Sequence, residues 1–289
     1  MNYLLHLLVM IGIYLPLAYS LNLILGFGGL LSLCHAAFYG IGAYAYVLSL
    51  TALGLPPGIA LAFGIAFTLL LSIGVGWVSL RFRGDLFLFV TLGFQMILFV
   101  LLYNWVDLTN GPYGIAGIPR PELFGMVLRT PAHYVLLAVA MNLVLLPILF
   151  ALYRSPFGLA LKALREDETE AESLGLNADH LYLQAFVISA AIAAIPGAFY
   201  ASYVTYIDPT SFTLDESIFL AAILLLGGAG NRIGPLVGVM IMLLLPEVLR
   251  FVGLPDAIAH NLREIIYGLS LAVLMYLRPQ GVAGEYRVG

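Results

Sequence analysis

Charged residues are scarce in this 289-residue sequence, at 10% of the chain, whereas hydrophobic residues make up 62%. A soluble domain of this length needs about a quarter of its residues charged to keep its surface wet. Much of the surface must therefore face lipid. The apolar runs are long and lack the two-residue alternation of barrel strands, which favours helices. We predict an all-α, polytopic transmembrane helix bundle that forms a single domain over residues 1–289.

Residues that carry chemistry are equally scarce. The single cysteine, Cys34, cannot form an intrachain disulfide, and His35 has no Cys, Asp or Glu at metal-ligand spacing. The sequence holds no serine nucleophile elbow, no paired carboxylates at membrane depth and no Gly-Lys-Ser/Thr phosphate loop. The N-terminus lacks a basic leader, so we expect no cleavable signal peptide. We predict no catalytic residue, no metal, no bound cofactor and no nucleic-acid partner.

About nine apolar segments are long enough to be membrane crossings, within a range of eight to ten. A helix needs about 20 apolar residues to span a bilayer, so the seventh segment is short and could be a half-helix. The predicted segments are 3–25, 34–53, 58–80, 86–104, 132–153, 181–203, 216–228, 234–252 and 263–278.

Two glycine runs interrupt this pattern, one at 26–29 and one at 227–230. Glycine permits close backbone approach and positive φ, and broken helices are tolerated where they line a cavity. The first run is interpreted as a break or re-entrant turn in the helix. The second is either a tight turn between two packed helices or an element with a gating or docking role. The glycines assigned to this gating or turn role are Gly26, Gly28, Gly29, Gly227, Gly228 and Gly230.

Lysine and arginine collect on one side of the predicted bundle. With nine crossings, eight of the twelve fall on the same side, and positive residues favour the cytoplasmic side of short loops. We therefore predict a cytoplasmic C-terminus. The residues on that side are Arg81, Arg83, Arg154, Lys162, Arg165, Arg232, Arg278 and Arg287.

The polar segment after the fifth predicted span is the longest on the predicted cytoplasmic side. Ser155 and Pro156 form a typical helix start, and Gly175 a typical stop. Apolar residues recur between them at three- and four-residue spacing. A plain solvated connection is the alternative, but we predict a capped amphipathic helix at about 155–176 that docks a soluble partner. The docking residues are predicted to be Arg165, Glu166, Glu168, Glu170, Ser173, Leu174 and Gly175.

A few polar or bulky side chains within the apolar spans are candidates for a translocation path: His35, Phe38, Gln95 and Glu247. An ionisable group inside a membrane is a functional candidate by default. The alternatives are that the polar groups only join helices by hydrogen bonds, and that Glu247 lies near the external end of its helix.

Short motifs are spread along nearly the whole chain. They are GFGGLLSLCHAAFYG at 26–40, RFRGD at 81–85, TLGF at 91–94, LTNG at 108–111, SPFG at 155–158, GLN at 175–177, LGGAG at 226–230 and PQG at 279–281. Together they resemble the branched-chain amino acid permeases of bacterial ABC importers, and more narrowly the M-type subunit of the permease pair. The sequence departs from that family at Cys34 and Asn110, where glycine is usual.

The resemblance implies a fold similar to the larger ABC importer permeases and a place in the inner (plasma) membrane. It implies a second related permease subunit, two cytoplasmic ATPases and a periplasmic binding protein that delivers substrate. ATP would be bound and hydrolysed on the ATPases. The helix at 155–176 would dock into an ATPase groove and transmit its motion.

The substrate implied by the resemblance is a branched-chain or other hydrophobic amino acid. Urea and short-amide permeases are similar to the same family, so these substrates stay open as an alternative. A third possibility is a self-sufficient secondary transporter with Glu247 or His35 as its proton site. An intramembrane enzyme is disfavoured by the missing catalytic groups.

Overall fold

The computed structural model describes residues 2–123, 126–128, 130–250, 268 and 281–283. The side chains of residues 2, 122, 123, 126, 127 and 246–250 are outside this description, although their backbone belongs to it. The α-helices within the described residues are α1 (Asn2–Asn22), α2 (His35–Thr51), α3 (Pro57–Ser79), α4 (Asp85–Asn104), α5 (Val106–Thr109), α6 (Pro131–Arg154), α7 (Pro156–Glu166), α8 (Glu168–Ser173), α9 (Ala178–Val204), α10 (Leu214–Gly227) and α11 (Gly234–Arg250). A π-helical turn, Leu23–Phe27, continues α1, and a 3-10 turn, Pro209–Phe212, precedes α10.

Six helical stretches are long and apolar enough to cross a membrane. They are Tyr3–Phe27, Pro57–Ser79, Asp85–Asn104, Pro131–Arg154, Ala178–Val204 and Pro209–Gly227. Helix α2, with 17 residues, and the apolar part of α11, Gly234–Leu245, are shorter. These eight elements match the first eight predicted segments, whereas 263–278, apart from residue 268, lies outside the described residues. The predicted bundle of membrane helices is confirmed.

Helix α2 forms the centre of the bundle, and 15 of its 17 residues are buried. It packs against α9 and α3, and small residues set the spacing. A Cβ added to Gly42 would lie 2.4 Å from the Cα of Ala194, and one added to Gly197 would lie 2.1 Å from the carbonyl oxygen of Tyr39. Small residues suit this place because helices in lipid associate through close packing rather than through a hydrophobic drive.

Helices α3, α4 and α6 present large apolar side chains outward. Leu70, Phe89 and Leu136 are 68%, 62% and 71% exposed. Such continuous apolar surface is unfavourable in water and natural in a bilayer. The protein is therefore a multi-pass membrane protein.

The segments at the predicted external end carry short strands. β1 (Ile115–Ala116) pairs antiparallel with β4 (Tyr206–Ile207), and β2 (Glu122–Leu123) pairs with β3 (Met126–Val127). The sequence analysis predicted no strands, because two residues are too few to show an alternating pattern. Asn110 near β1 has φ of 61°, a left-handed conformation that asparagine tolerates and that explains why glycine is usual there.

Candidate functional site

Helix α7 begins as the sequence predicted. The Ser155 hydroxyl accepts a hydrogen bond from the Gly158 backbone N–H at 3.3 Å, and Pro156 occupies the first helical position. Leu161 and Leu164 are buried beneath the helix, while Leu159 is 62% exposed. The amphipathic face of the predicted docking element is therefore present, with its apolar side turned into the bundle.

The predicted single helix at 155–176 is wrong in one respect, because the structure divides it into α7 and α8. Asp167 adopts an extended conformation between them, and its carboxylate accepts a hydrogen bond from the Glu170 backbone N–H at 2.9 Å. Aspartate is a strong N-cap, so it starts a new helix rather than continuing the old one. Gly175 follows α8 with φ of 92°, which confirms the predicted stop.

Glu168 and Arg83 connect α8 to the segment between α3 and α4. The Arg83 Nε donates to Glu168 Oε1 at 2.9 Å, and the same guanidinium pairs with Asp179 at the start of α9. Arg83 also donates to the carbonyl oxygen of Leu80 at 2.7 Å. Arg83 thus joins α8, the start of α9 and the end of α3, and Glu168 is its partner on α8.

Arg165 extends from the last turn of α7 to the π-helical turn that continues α1. Its guanidinium donates hydrogen bonds to the carbonyl oxygen of Gly26 and, at 2.8 Å, to Glu166 Oε1. A Cβ on Gly29 would lie 2.6 Å from the Arg165 Cγ, and one on Gly230 would lie 2.7 Å from its Nη1. The arginine passes between the two glycine runs only because both positions lack a side chain.

The two glycine runs, far apart in sequence, contact each other through Asn22. The Asn22 Oδ1 accepts from the Gly230 N–H at 2.9 Å, and its Nδ2 donates to the carbonyl of Asn231 at 2.9 Å. A Cβ on Gly26 would lie 2.4 Å from the Gly230 nitrogen. We call the group Asn22, Gly26, Gly29, Arg165 and Gly230 the glycine junction.

The second glycine run is also the turn between α10 and α11. Gly228 and Gly230 have φ of 105° and 88°, and a Cβ on Gly227 would lie 2.0 Å from the Gly234 carbonyl oxygen. Residues 282 and 283 donate their N–H groups to the carbonyls of Leu226 and Gly227, each at 2.9 Å. The second run therefore lies in a tight turn and Gly26 approaches Gly230 closely, whereas Gly28 has a helical φ of −88°. Gating stays a prediction.

The predicted path residues His35, Gln95 and Phe38 lie in the interior between α1, α2 and α4. The His35 Nε2 is 2.8 Å from the Ser20 hydroxyl. Gln95 accepts from the Ala37 N–H at 2.8 Å and donates to the Phe212 carbonyl at 2.8 Å. The buried side chains of His35 and Gln95 therefore join elements by hydrogen bonds. Their part in translocation remains a prediction, and the Glu247 side chain lies outside the described residues.

An apolar cavity of about 600 Å³ lies between α2, α3 and α4. Phe38 and Tyr44 from α2, Phe63 and Phe67 from α3 and Ile97 from α4 contribute to its lining. Among the described residues, no group of three or more His, Cys, Asp or Glu side chains is arranged to hold a metal ion. The lining of this cavity can therefore make apolar contacts.

Comparison with known proteins gives a family. The family described as "Branched-chain amino acid transport system / permease component" matches residues 3–276. The chain belongs to this permease family.

Curated relatives of this permease carry related names. It is 35% identical over 295 residues to the high-affinity branched-chain amino acid transport system permease protein LivM of Escherichia coli K12, covering 93% of this chain and 67% of the relative. It is 28% identical over 202 residues to the probable LivM of Methanocaldococcus jannaschii, covering 66% and 57%. It is also similar to LivH of Escherichia coli K12, at 24% over 298 residues, covering 95% and 92%. No solved structure matches this permease.

Two residues that join the elements of this permease were not among the predicted site residues. Arg83 occurs in the RFRGD motif, but its carboxylate partners at 168 and 179 are separated from it by about a third of the chain. Asn22 lies just before the first glycine run, but its partners at 230 and 231 are more than 200 positions away. The signal in the sequence was a strongly polar residue next to each glycine run. Its role could be recognised only once the two runs were known to contact each other.

Proposed function

We propose that this permease is the membrane-spanning subunit of an ATP-driven importer in the inner (plasma) membrane, moving branched-chain or other hydrophobic amino acids. A periplasmic binding protein would deliver the substrate. The observation that carries the proposal is the α7–α8 element, anchored to the bundle at one face and exposed at the other, in a chain of this family.

The outer face of α7 and α8 is suited to a soluble partner. Leu174 is 84% exposed beside Gly175, and Glu166 and Glu170 are exposed along the same element. An exposed leucine on an element with exposed carboxylates is suited to a protein contact that has an apolar centre and a polar rim. Two cytoplasmic ATPases would dock here and would bind the ATP, since this sequence has no phosphate loop.

The contacts beneath α7 and α8 would transmit the motion. Arg165 joins α7 to the glycine junction, and Arg83 joins α8 to the ends of α3 and α9. A displacement of α7 and α8 by a docked ATPase would therefore be transmitted to α1, α3, α9 and the α10–α11 turn together. Rigid, capped helices are needed for such transmission because a flexible segment would absorb the displacement.

A second related permease subunit would complete the path. The similarity to both LivM and LivH supports this part of the proposal. The exposed side chains of Leu8 on α1, Ile218 on α10 and Leu236 on α11 leave apolar surface for such a subunit.

Uptake into membrane vesicles tests the proposal. Vesicles with this permease, the second permease, the ATPases and the binding protein should accumulate leucine with ATP, and vesicles without the ATPases should not. Accumulation that persists without ATPases and collapses with a proton uncoupler would show a secondary transporter instead. Accumulation of urea but not leucine would assign the alternative substrate class.

Crosslinking tests the docking surface. A Leu174→Cys variant should crosslink to an ATPase in the assembled complex. A matched Leu70→Cys variant on the lipid face of α3 should not. Equal yields for the two variants, or none at position 174, would contradict docking at α7–α8.

A further inference from the structure

Helix α10 begins beside the middle of α1 rather than beside one of its ends. Tyr14 is the twelfth residue of the 25-residue span Tyr3–Phe27. Its hydroxyl donates a hydrogen bond to Glu216 Oε1 at 2.6 Å. The Glu216 carboxylate is therefore level with the middle of α1, although Glu216 belongs to the first turn of α10.

Glu216 differs from the other acids of the described membrane spans. Asp85, Asp179 and Asp215 are all exposed near the starts of their helices, whereas Glu216 is half-buried. Among the described residues, Tyr14 is the hydrogen-bond donor to this carboxylate, and no Lys, Arg or His lies within ion-pair distance of it. A carboxylate in this setting is costly unless a cation compensates it.

Aromatic rings are frequent on the elements around Glu216. Tyr39 and Tyr200 have ring centroids 5.7 Å apart, and Phe212 is 5.1 Å from Tyr39. Tyr14, which holds the carboxylate, packs against Phe219 of α10 with ring centroids 5.5 Å apart. Aromatic faces attract cations, so a carboxylate held by Tyr14 in an aromatic region is suited to an organic ammonium group.

The carboxylate also borders surface that this chain leaves uncovered. Its neighbours Asp215 and Ile218 on α10 are exposed, Ile218 at 48%. The next residue, Ser217, accepts from the Ala36 N–H and donates to Gln95, one of the predicted path residues. Glu216 thus lies between the interior polar network and the face left for a second permease.

We propose that Glu216 binds the ammonium group of the amino acid during its passage, with Tyr14 as the residue that positions the carboxylate. The inference rests on the proposed function and narrows its substrate to molecules that carry a positive amino group. Urea and short amides are neutral and gain nothing from such a site.

Ligand-observed saturation-transfer NMR on the purified, assembled importer without its binding protein tests the inference. The probes are leucine, 3-methylbutylamine, which lacks the carboxylate, and 4-methylpentanoate, which lacks the ammonium. The wild-type complex should transfer saturation to leucine and the amine, and much less to the acid. Glu216→Gln should weaken leucine binding by about 10- to 100-fold, the size of a charge-assisted hydrogen bond.

Matched variants separate binding from folding. Asp215→Asn removes the adjacent, exposed carboxylate and should leave leucine binding within about 2-fold. Glu216→Asp keeps the charge and should retain preference for the amine over the acid, which a folding defect would not do. Leucine binding by Glu216→Gln equal to the wild type would overturn the proposal. Loss of the second permease on purification of Glu216→Gln would also overturn it, by assigning the carboxylate to an ion pair between subunits.

The vesicle assay separates this inference from the proposed function. If wild-type vesicles import no leucine, the proposed function fails whatever Glu216 does. If wild-type vesicles import leucine and Glu216→Gln vesicles do so equally well, only the ammonium site fails.

Discussion

The centre of the bundle and the glycine junction use glycine for opposite purposes. Around α2, Gly42 and Gly197 let helix backbones touch, and the contact is apolar packing. At the junction, Gly29 and Gly230 make room for a charged side chain, and the contact is a set of hydrogen bonds through Arg165 and Asn22. Hydrogen bonds can change partners more readily than close-packed backbones can separate. We therefore expect the junction, rather than the centre, to rearrange during transport.

The largest effect should come from filling the centre. Gly197→Ala would place a methyl group against the Tyr39 carbonyl, so we expect a loss of about 1–3 kcal/mol of stability and a clearly lower Tm in detergent. Gly74→Ala on α3 is the matched control, because its Cβ meets open space. Equal thermal unfolding curves for the two variants would contradict the tight backbone packing inferred around α2.

At the junction, replacement of Arg165 should impair transport while the protein still folds. Arg165→Gln loses the charged hydrogen bond to Gly26, and we expect leucine uptake to fall about 10-fold at unchanged protein level. Arg154→Gln, an exposed arginine at the end of α6, should keep uptake near the wild-type rate. Parallel losses in both variants would mean that charge on this side, rather than the junction, matters.

The cap between α7 and α8 should have a smaller, local effect. Asp167→Ala removes the acceptor for the Glu170 N–H, so α8 should lose about 0.5–2 kcal/mol of local stability. Hydrogen–deuterium exchange of residues 168–173 should then become faster. Asp167→Asn can still cap and should exchange like the wild type; faster exchange in both variants would argue against the capping role.

The Arg83–Glu168 pair should give the smallest effect. Both side chains are about one-third exposed, at 33% and 35%, so solvent screens the pair. A double-mutant cycle with Arg83→Gln and Glu168→Gln should yield a coupling of about 0.5 kcal/mol that declines with salt. A coupling energy several times larger and insensitive to salt would contradict this expectation, and would show that the Arg83–Glu168 pair holds α8 as firmly as packing holds the centre.

The membrane helices, their approximate limits and the caps at Ser155 and Gly175 were predictable because each depends on local sequence. Apolar length identifies a span, and a capping side chain acts within three residues of its own position. The break at Asp167 was missed because the apolar spacing appeared continuous across it. The same sequence carried an aspartate in a good capping position, and capping determined the structure.

The sequence by itself determined that this protein resides in a bilayer, that it carries a polar helical element, and that two glycine runs interrupt its apolar segments. Composition and short motifs express these properties without reference to distant residues. Only the tertiary structure decided that the two glycine runs meet around Arg165 and Asn22, and that Glu216 lies opposite the middle of α1. The reason is physical: Asn22 and Gly230, or Tyr14 and Glu216, are about 200 positions apart, so their contacts depend on how the helices pack and not on local sequence.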